Sequence, residues 1–223
     1  MKPFQTKRIT VSAVMLALAT VLALVCALIP FLHLPMGGGF TVASMLPIVI
    51  ISYMYGVKWG LFASLTYAAI QIVIDLCTGV SGSVIMALFL PDSGDYMGLV
   101  AAVSIVLIDY LVAYTVLGLG GLFRNVFRRK TVALCLGCVL ALSLRYLAHI
   151  LSGAIFYGQW AEWFLTQEGW FQGLGLWLVQ HFSGGLLALI YSIFYNGLYM
   201  IPEIVITTAV AAAVSALPAV KKQ

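Results

Sequence analysis

The sequence predicts an all-α integral membrane protein with six transmembrane helices and both termini on the cytoplasmic side. Hydrophobic residues make up 63% of the chain and charged residues only 8%, and the mean hydropathy of +1.10 lies far outside the range of soluble domains. Six apolar stretches approach or exceed the roughly 20 residues that a spanning helix needs. The charged residues then separate onto the two sides of the resulting path.

The predicted helices form a single membrane domain over residues 1–223. The first follows the basic segment MKPFQTKR and is too long for the apolar core of a signal peptide, so we expect it to remain in the membrane. The second is short, and the last is long enough to tilt. We expect helices at about residues 9–29, 41–56, 59–77, 99–123, 131–157 and 181–217.

The connections differ in composition. The segment 84–90 is apolar but too short to span, so we expect it near the outer interface. In chain order the connections are a Gly/Pro-rich loop over 30–39, the tight turn YGVKWG, the segment 78–98, the basic turn RNVFRRK and an aromatic loop over 158–180.

The loop charges predict the orientation of the chain. Ten of the eleven Lys and Arg residues lie in or beside short connections or at the termini, all on one side of the six-helix path. Asp92, Asp95, Glu162 and Glu168 lie on the other side. The positive-inside rule therefore places both termini in the cytoplasm. Topology also explains the net charge of +4, so we expect no nucleic-acid partner.

Four ionisable residues lie at membrane depth where topology gives no reason for them: Asp109, Arg145, His149 and Glu203. Charged groups at this depth are costly and mark either a functional site or a buried pair. Arg145 and His149 are four residues apart on one helix, so they share a face that must point into the bundle. We expect Arg145 to satisfy a buried carboxylate, in a structural ion pair with Glu203 or with Asp109, because an unpaired buried guanidinium is costly.

Several polar groups lie at similar depths on three of the predicted helices. At 1.5 Å per residue, His149 lies roughly 12 Å below the outer end of the fifth helix and Asp109 roughly 15 Å down the fourth. Tyr191 lies at a similar depth on the last helix, and Asn196 lies somewhat deeper. We therefore expect a carboxylate, an imidazole, a phenol and an amide around one pocket that opens to the outside.

Two further features bear on partners and metals. Ala13 and Ala17 share a face of the first helix, where small side chains permit close approach either within the bundle or to another protein. Cys135 and Cys138 are one turn apart without the further ligands that a zinc site needs, so we expect neither a metal nor a cofactor.

Five motifs in this chain resemble a known family. They read GGGFTVASMLPI, YGVKWGL, DYLVAYTVLGLGGLF, RYLAHILSGAIFYGQ and YSIFYNGLYMIPE. Together they resemble the thiamine-specific substrate-binding (S) subunits of energy-coupling factor (ECF) transporters, from about Ser12 to Glu203. The resemblance implies a subunit of a prokaryotic cell membrane that captures thiamine outside the cell. It also implies transfer of thiamine to a module of one transmembrane scaffold subunit and two ATP-binding subunits.

The resemblance also implies roles for particular residues. It assigns the carboxylate that engages the substrate to Asp109, and it places Tyr110 near the hydroxyl end of the substrate. It further implies that Ala13 and Ala17 contact the scaffold subunit. The full set of substrate-binding residues carried over is Asp109, Tyr110, His149, Tyr157, Tyr191 and Asn196.

Two positions depart from some members of the family. Tyr157 stands where a tryptophan stacks on the pyrimidine, and Gly39 stands where a tryptophan lies in the first outer loop. Tyrosine still offers a stacking face, but glycine offers none. We therefore expect a differently built lid, to which Trp160 or Trp163 contributes.

The chemistry of the expected pocket suits thiamine, since a carboxylate, aromatic faces and an amide complement a thiazolium cation and an aminopyrimidine edge. No GxxxxGK[ST] phosphate-binding loop occurs, so we expect no enzyme activity here and ATP hydrolysis in partner subunits. Three other functions remain open: an S subunit for another vitamin or a thiamine precursor, a secondary carrier driven by protons through Asp109, His149 and Glu203, and an intramembrane enzyme with His149 as base. The last lacks an obvious nucleophile.

Overall fold

The computed structural model describes residues 3–34, 38–78, 89, 96–169 and 171–217. Within these ranges the regular structure is helical, and the one β-type feature is an isolated bridge between His33 and Gly39. Most of the segment 84–90, which the sequence predicts at the outer interface, lies outside the described residues. So do the two loop aspartates, Asp92 and Asp95.

The chain is an all-α membrane protein. Five described helices are long and apolar enough to cross a membrane, and a sixth apolar helix, α2, is shorter. The helices are α1 Pro3–Ala27, α2 Leu46–Tyr55, α3 Val57–Thr78, α4 Leu99–Gly121, α5 Lys130–Phe156, α6 Ala161–Leu165, α7 Gln172–His181 and α8 Gly184–Val214.

Helix α2 is shorter than the predicted helix 41–56 because residues 42–45 form a turn instead, in which Ala43 has a φ of 55°, outside the right-handed helical region. The backbone N–H of Thr41 donates to the Glu203 carboxylate of α8 at 2.7 Å. Nine of the ten residues of α2 are buried, so this helix lies inside the bundle and has little contact with lipid.

Helix α4 is irregular where the sequence predicts one continuous helix. It begins as an α-helix over Leu99–Val106, widens to a π-helix over Leu107–Val112, and tightens to a 3-10 helix over Val116–Gly121. A π-segment inside an α-helix is rare and often occurs at a functional site. The 3-10 segment contains three glycines, which allow it to approach its neighbours closely.

These glycines form the closed end of the bundle, which we define as the end with the turns at Gly56 and at 122–129. A Cβ at Gly118 would overlap the backbone of Leu61 in α3, and one at Gly137 would overlap the Gly120 carbonyl oxygen. The Ser52 hydroxyl donates to the Gly118 carbonyl and accepts from the Gly121 N–H at 2.9 Å. Helices α2, α3, α4 and α5 are therefore in backbone contact here.

The opposite end, which we call the cavity end, carries the loop 28–45 and the segment 157–183. The sequence predicts an aromatic loop over 158–180, but this region contains a 3-10 turn at Gly158–Trp160 followed by α6 and α7. Gly175 lies against the Leu165 carbonyl, where any side chain would overlap it, so α7 packs directly on the end of α6. This packing outweighs the low helix propensity of the glycines in α7.

Candidate functional site

A cavity of about 190 Å³ opens between the helices at the cavity end. Its walls come from α1, α3, α4, α5 and α8 and from the loop before α2. All six residues that the sequence singles out for substrate binding line it: Asp109, Tyr110, His149, Tyr157, Tyr191 and Asn196.

Asp109 lies in the π-helical part of α4 and is held by two residues of α5. Its Oδ1 lies 2.9 Å from Nδ1 of His149, and its Oδ2 accepts from the Ser152 hydroxyl at 2.6 Å. The Asp109 side chain remains 19% exposed. Since a carboxylate has about four acceptor positions, Asp109 is both oriented by the protein and able to accept from a ligand.

His149 has a defined role between two charged side chains. Nε of Arg145 donates to Nε2 of His149 at 3.1 Å, so Nε2 must carry a lone pair. The proton of the neutral ring is therefore on Nδ1, which donates to Asp109. Arg145, His149 and Asp109 form one hydrogen-bonded chain in which the imidazole positions the carboxylate.

The predicted ion pair between Arg145 and Glu203 is not formed. Within the described ranges no carboxylate lies within ion-pair distance of the guanidinium, and the close contact of His149 with Asp109 is a hydrogen bond from the neutral imidazole. The guanidinium of Arg145 instead lies over the ring of Tyr114, with its carbon 4.1 Å from the ring centroid, and its Nη1 points at the sulfur of Met45. A planar guanidinium is stabilised by an aromatic face even without an anionic partner, so Arg145 does not need the ion pair with Glu203.

Glu203 holds the loop before α2. Besides the Thr41 N–H, its carboxylate accepts from the Thr207 hydroxyl at 3.1 Å. A second contact holds the same loop, because the Gly38 N–H donates to the Tyr195 hydroxyl at 3.0 Å. Helix α8 thus holds, through hydrogen bonds, the loop that lines one side of the cavity.

Three tyrosines of α8 form an aromatic wall. Tyr191, Tyr195 and Tyr199 are spaced by four residues, and all three line the cavity. Successive ring centroids are 5.8 and 6.3 Å apart. The Tyr199 hydroxyl donates to Oδ1 of Asn196 at 2.6 Å, and Nδ2 of Asn196 donates to the carbonyl of Ser192 at 2.9 Å.

The positions that depart from the family pattern lie at the edge of the cavity. Tyr157 lines it and packs against Trp160, with ring centroids 5.7 Å apart and 35° between the planes. Gly39 also lines it and pairs with His33 in the isolated bridge. Trp163 is 48% exposed and does not line the cavity. Of the two tryptophans expected at the lid, Trp160 packs against Tyr157, and neither lines the cavity.

The sequence reasoning missed the wall formed by α3. Gln71 and Asp75 both line the cavity, and Oδ2 of Asp75 accepts from the Tyr110 hydroxyl at 2.7 Å. The sequence does indicate a polar face on this helix, because Gln71 and Asp75 are polar residues four apart inside the predicted span 59–77. Asp75 lies close to the predicted helix end, where a carboxylate can be solvated, so hydropathy alone does not place it in the cavity.

Comparisons with known proteins find a matching family model, a similar sequence and a similar fold. A family model described as "Thiamine transporter protein (Thia_YuaJ)" matches residues 9–163. The thiamine transporter ThiT of Bacillus subtilis (strain 168) is 30% identical over 215 residues, which cover 92% of this chain and 88% of that protein. A solved ThiT structure from Listeria monocytogenes has the same fold, with a TM-score of 0.53 at 17% identity, covering 91% of this chain and 93% of the other.

Proposed function

This chain belongs to the thiamine transporter family, and we propose that it is the subunit that binds thiamine from outside the cell and delivers it to an ATP-driven ECF module. The observation that carries the proposal is Asp109, a carboxylate oriented by His149 and Ser152 at the wall of an aromatic cavity. Thiamine offers the matching chemistry, since its thiazolium ring is permanently cationic and its pyrimidine is a flat donor and acceptor.

The proposed ligand pose follows from the walls of the cavity. The thiazolium ring lies at Asp109, where charge attraction acts in surroundings of low dielectric constant. The aminopyrimidine lies toward α8, where tyrosine faces and the Asn196 amide suit a planar heterocycle. Tyr157 closes the pocket over the ligand with support from Trp160.

Titration calorimetry with thiamine on the detergent-solubilised chain tests this function. Asp109→Asn keeps the size of the side chain but removes its charge. A hydrogen bond to a charged group contributes about 1.5–3 kcal/mol, so we expect thiamine affinity to fall about ten- to hundredfold. Glu162→Gln is the matched control, because Glu162 is exposed and does not line the cavity. A folded Asp109→Asn variant that binds thiamine as tightly as the parent would refute the proposed site.

We further propose that α1 provides the contact with the scaffold subunit, and that the whole assembly lies in the cell membrane of a prokaryote. Ala13 and Ala17 are both exposed, whereas Ser12 beside them is buried and accepts from the Trp59 indole at 2.8 Å. The small-residue face of α1 is therefore turned away from the bundle, which favours contact with a partner over internal packing. ATP hydrolysis is assigned to the two ATP-binding subunits of that partner module.

Replacing both Ala13 and Ala17 by Trp tests the partner contact. We expect the double variant to lose thiamine uptake in cells and to lose co-purification with the scaffold subunit, because indoles prevent close helix approach. Calorimetry should still show thiamine binding to the isolated subunit. Lost binding would instead point to a packing role for these alanines.

The alternative ligands and mechanism have tests of their own. Calorimetry with hydroxymethylpyrimidine and other vitamins, run beside thiamine, identifies the preferred ligand. Uptake by the isolated chain in liposomes under a pH gradient, without any ATP-binding subunit, would indicate a proton-driven carrier and contradict the ECF assignment.

A further inference from the structure

Helix α7 presents an apolar face to the outside of the protein, although it is not one of the spanning helices. Its ten residues include no Asp, Glu, Lys or Arg. Leu174, Leu176 and Trp177 are between 42% and 49% exposed, whereas Gly175 and Leu178 are buried against the protein. An exposed apolar face of this kind marks an interaction surface. At about 15 Å, α7 is too short to cross the bilayer.

The length of α8 indicates the level at which α7 lies. The inner end of α8 is fixed, because the hydroxyls of Ser215 and Thr131 are hydrogen-bonded at 2.7 Å, next to the basic turn that ends at Lys130. Helix α8 has 31 residues and is therefore about 46 Å long. A bilayer with its headgroups is about 40–45 Å thick. The first turn of α8 thus reaches the outer headgroup region.

Helix α7 lies beside this first turn. The ring of Trp177 contacts the ring of Phe182 edge-on, with centroids 5.9 Å apart, and Phe182 precedes α8 by two residues. Leu186 and Ile193 of α8 are exposed and, on a spanning helix, face lipid. The other side of Trp177 stacks on His181, with centroids 4.4 Å apart. Aromatic rings with a polar tip are enriched at the level of the headgroups.

We propose that Leu174, Leu176 and Trp177 lie in the boundary between headgroups and acyl chains of the outer leaflet, so that α7 is an interfacial anchor. Interfacial helices bury their apolar face about 5–10 Å into this boundary. Lipid is the occupant because α7 adjoins the lipid-facing start of α8. A protein partner would need about 800 Å² on each side, and three half-exposed side chains offer much less.

The anchor is connected to the cavity through α6. Gly175 of α7 lies directly against the Leu165 carbonyl of α6. The ring of Phe164, also in α6, lies 5.4 Å from the rings of Tyr191 and Tyr195, measured between centroids. Lipid contact at α7 therefore supports the tyrosine wall through α6. This consequence for ligand binding rests on the proposed thiamine function, whereas the position of α7 does not.

Spin labels on the full chain in lipid nanodiscs test the position of α7. Single cysteines are introduced as Leu174→Cys or Leu176→Cys, in a background without the four native cysteines. We expect both labels to collide often with oxygen, which concentrates in the bilayer, and rarely with a water-soluble nickel chelate. Gln167→Cys is the matched control, because Gln167 is exposed but precedes α7, and it should show the opposite pattern.

Two outcomes would overturn the anchor. Nickel access at both α7 positions equal to that at Gln167→Cys would place the face in water. Protection of both positions from oxygen and from nickel would show that protein, such as a second copy of this chain, covers the face.

A charge variant tests the connection to the cavity. Leu174→Glu places a carboxylate in the boundary and draws α7 toward water, so we expect calorimetry in nanodiscs to show thiamine affinity about two- to tenfold below that of the parent. Gln167→Glu adds the same charge outside α7 and should leave affinity unchanged. Equal affinities of the two variants would refute the connection. A parent chain that bound no thiamine would refute the proposed function, and the spin labels would still decide the position of α7.

Discussion

At the closed end of the bundle, α2, α3, α4 and α5 meet through glycines, whereas at the cavity end most of the same helices separate around tyrosines and ionisable groups. Gly118 and Gly137 each leave no room for a Cβ, because backbone atoms of a neighbouring helix occupy that space. Less than four turns further along α5, His149 faces a cavity of about 190 Å³. One set of helices thus provides a rigid junction at one end and a binding cavity at the other.

The difference between the two ends explains why α4 changes its helical form along its length. The 3-10 segment Val116–Gly121 is narrow and belongs to the closed end, and the wider π-segment Leu107–Val112 belongs to the cavity end. Tight packing at one end holds α4 in place, while the π-segment directs Asp109 and Tyr110 toward the cavity. Stability and ligand binding should therefore respond to different substitutions.

The largest effect is expected at the closed end. Gly137→Ala places a methyl group against the Gly120 carbonyl oxygen, and because backbone cannot move as a side chain does, we expect destabilisation of about 2–3 kcal/mol. Thermal or denaturant unfolding in detergent would measure it. Gly173→Ala is the matched control, since nothing lies within 4 Å of a Cβ there, and it should stay within about 1 kcal/mol of the parent. Equal stabilities of the two variants would contradict the proposed junction.

An intermediate effect on both stability and affinity is expected at Arg145, which lines the cavity and contacts Met45 and His149. Arg145→Ala removes a charged donor and the cation that lies on Tyr114, so we expect a loss of about 1.5–3 kcal/mol in stability. Thiamine affinity should also fall, because His149 loses the donor that fixes its tautomer.

Arg145→Lys separates the two contributions of the guanidinium. It keeps the charge but loses the planar group, so it should recover only part of the stability and affinity. Unfolding curves and calorimetry on both variants would measure how much stability and how much thiamine affinity each variant loses. A variant with altered stability and unchanged affinity would show that Arg145 acts on the packing alone.

The smallest effect is expected at Tyr157, which belongs to the cavity end alone. Tyr157→Trp enlarges the aromatic face that the proposed pose places over the ligand, and an aromatic contact of this kind contributes about 0.5–1.5 kcal/mol. We expect thiamine affinity to be unchanged or to rise a few-fold, with no change in unfolding midpoint. Tryptophan fluorescence quenching by thiamine would measure it. A substantial loss of affinity would indicate that Tyr157 does not stack on the ligand.

Parts of the candidate site could be predicted from the sequence because depth in a membrane is set by position along a helix. Asp109, His149, Tyr191 and Asn196 lie at comparable depths on three helices, and the structure brings them around one cavity. Contacts between side chains were not predictable in the same way. The expected partner of Arg145 was a carboxylate, but Tyr114 provides an aromatic face that hydropathy and spacing do not reveal.

The sequence by itself determined the all-α membrane class, the approximate spans and the depth of the polar residues, because these depend on composition and on the rise of a helix. Tertiary structure alone decided the irregular form of α4 and the helices within 158–183. Both depend on close contacts between separate elements, such as Gly118 against Leu61 and Gly175 against Leu165. Such contacts leave no periodic pattern in the chain, since a glycine at a helix crossing looks the same in sequence as a glycine in a loop.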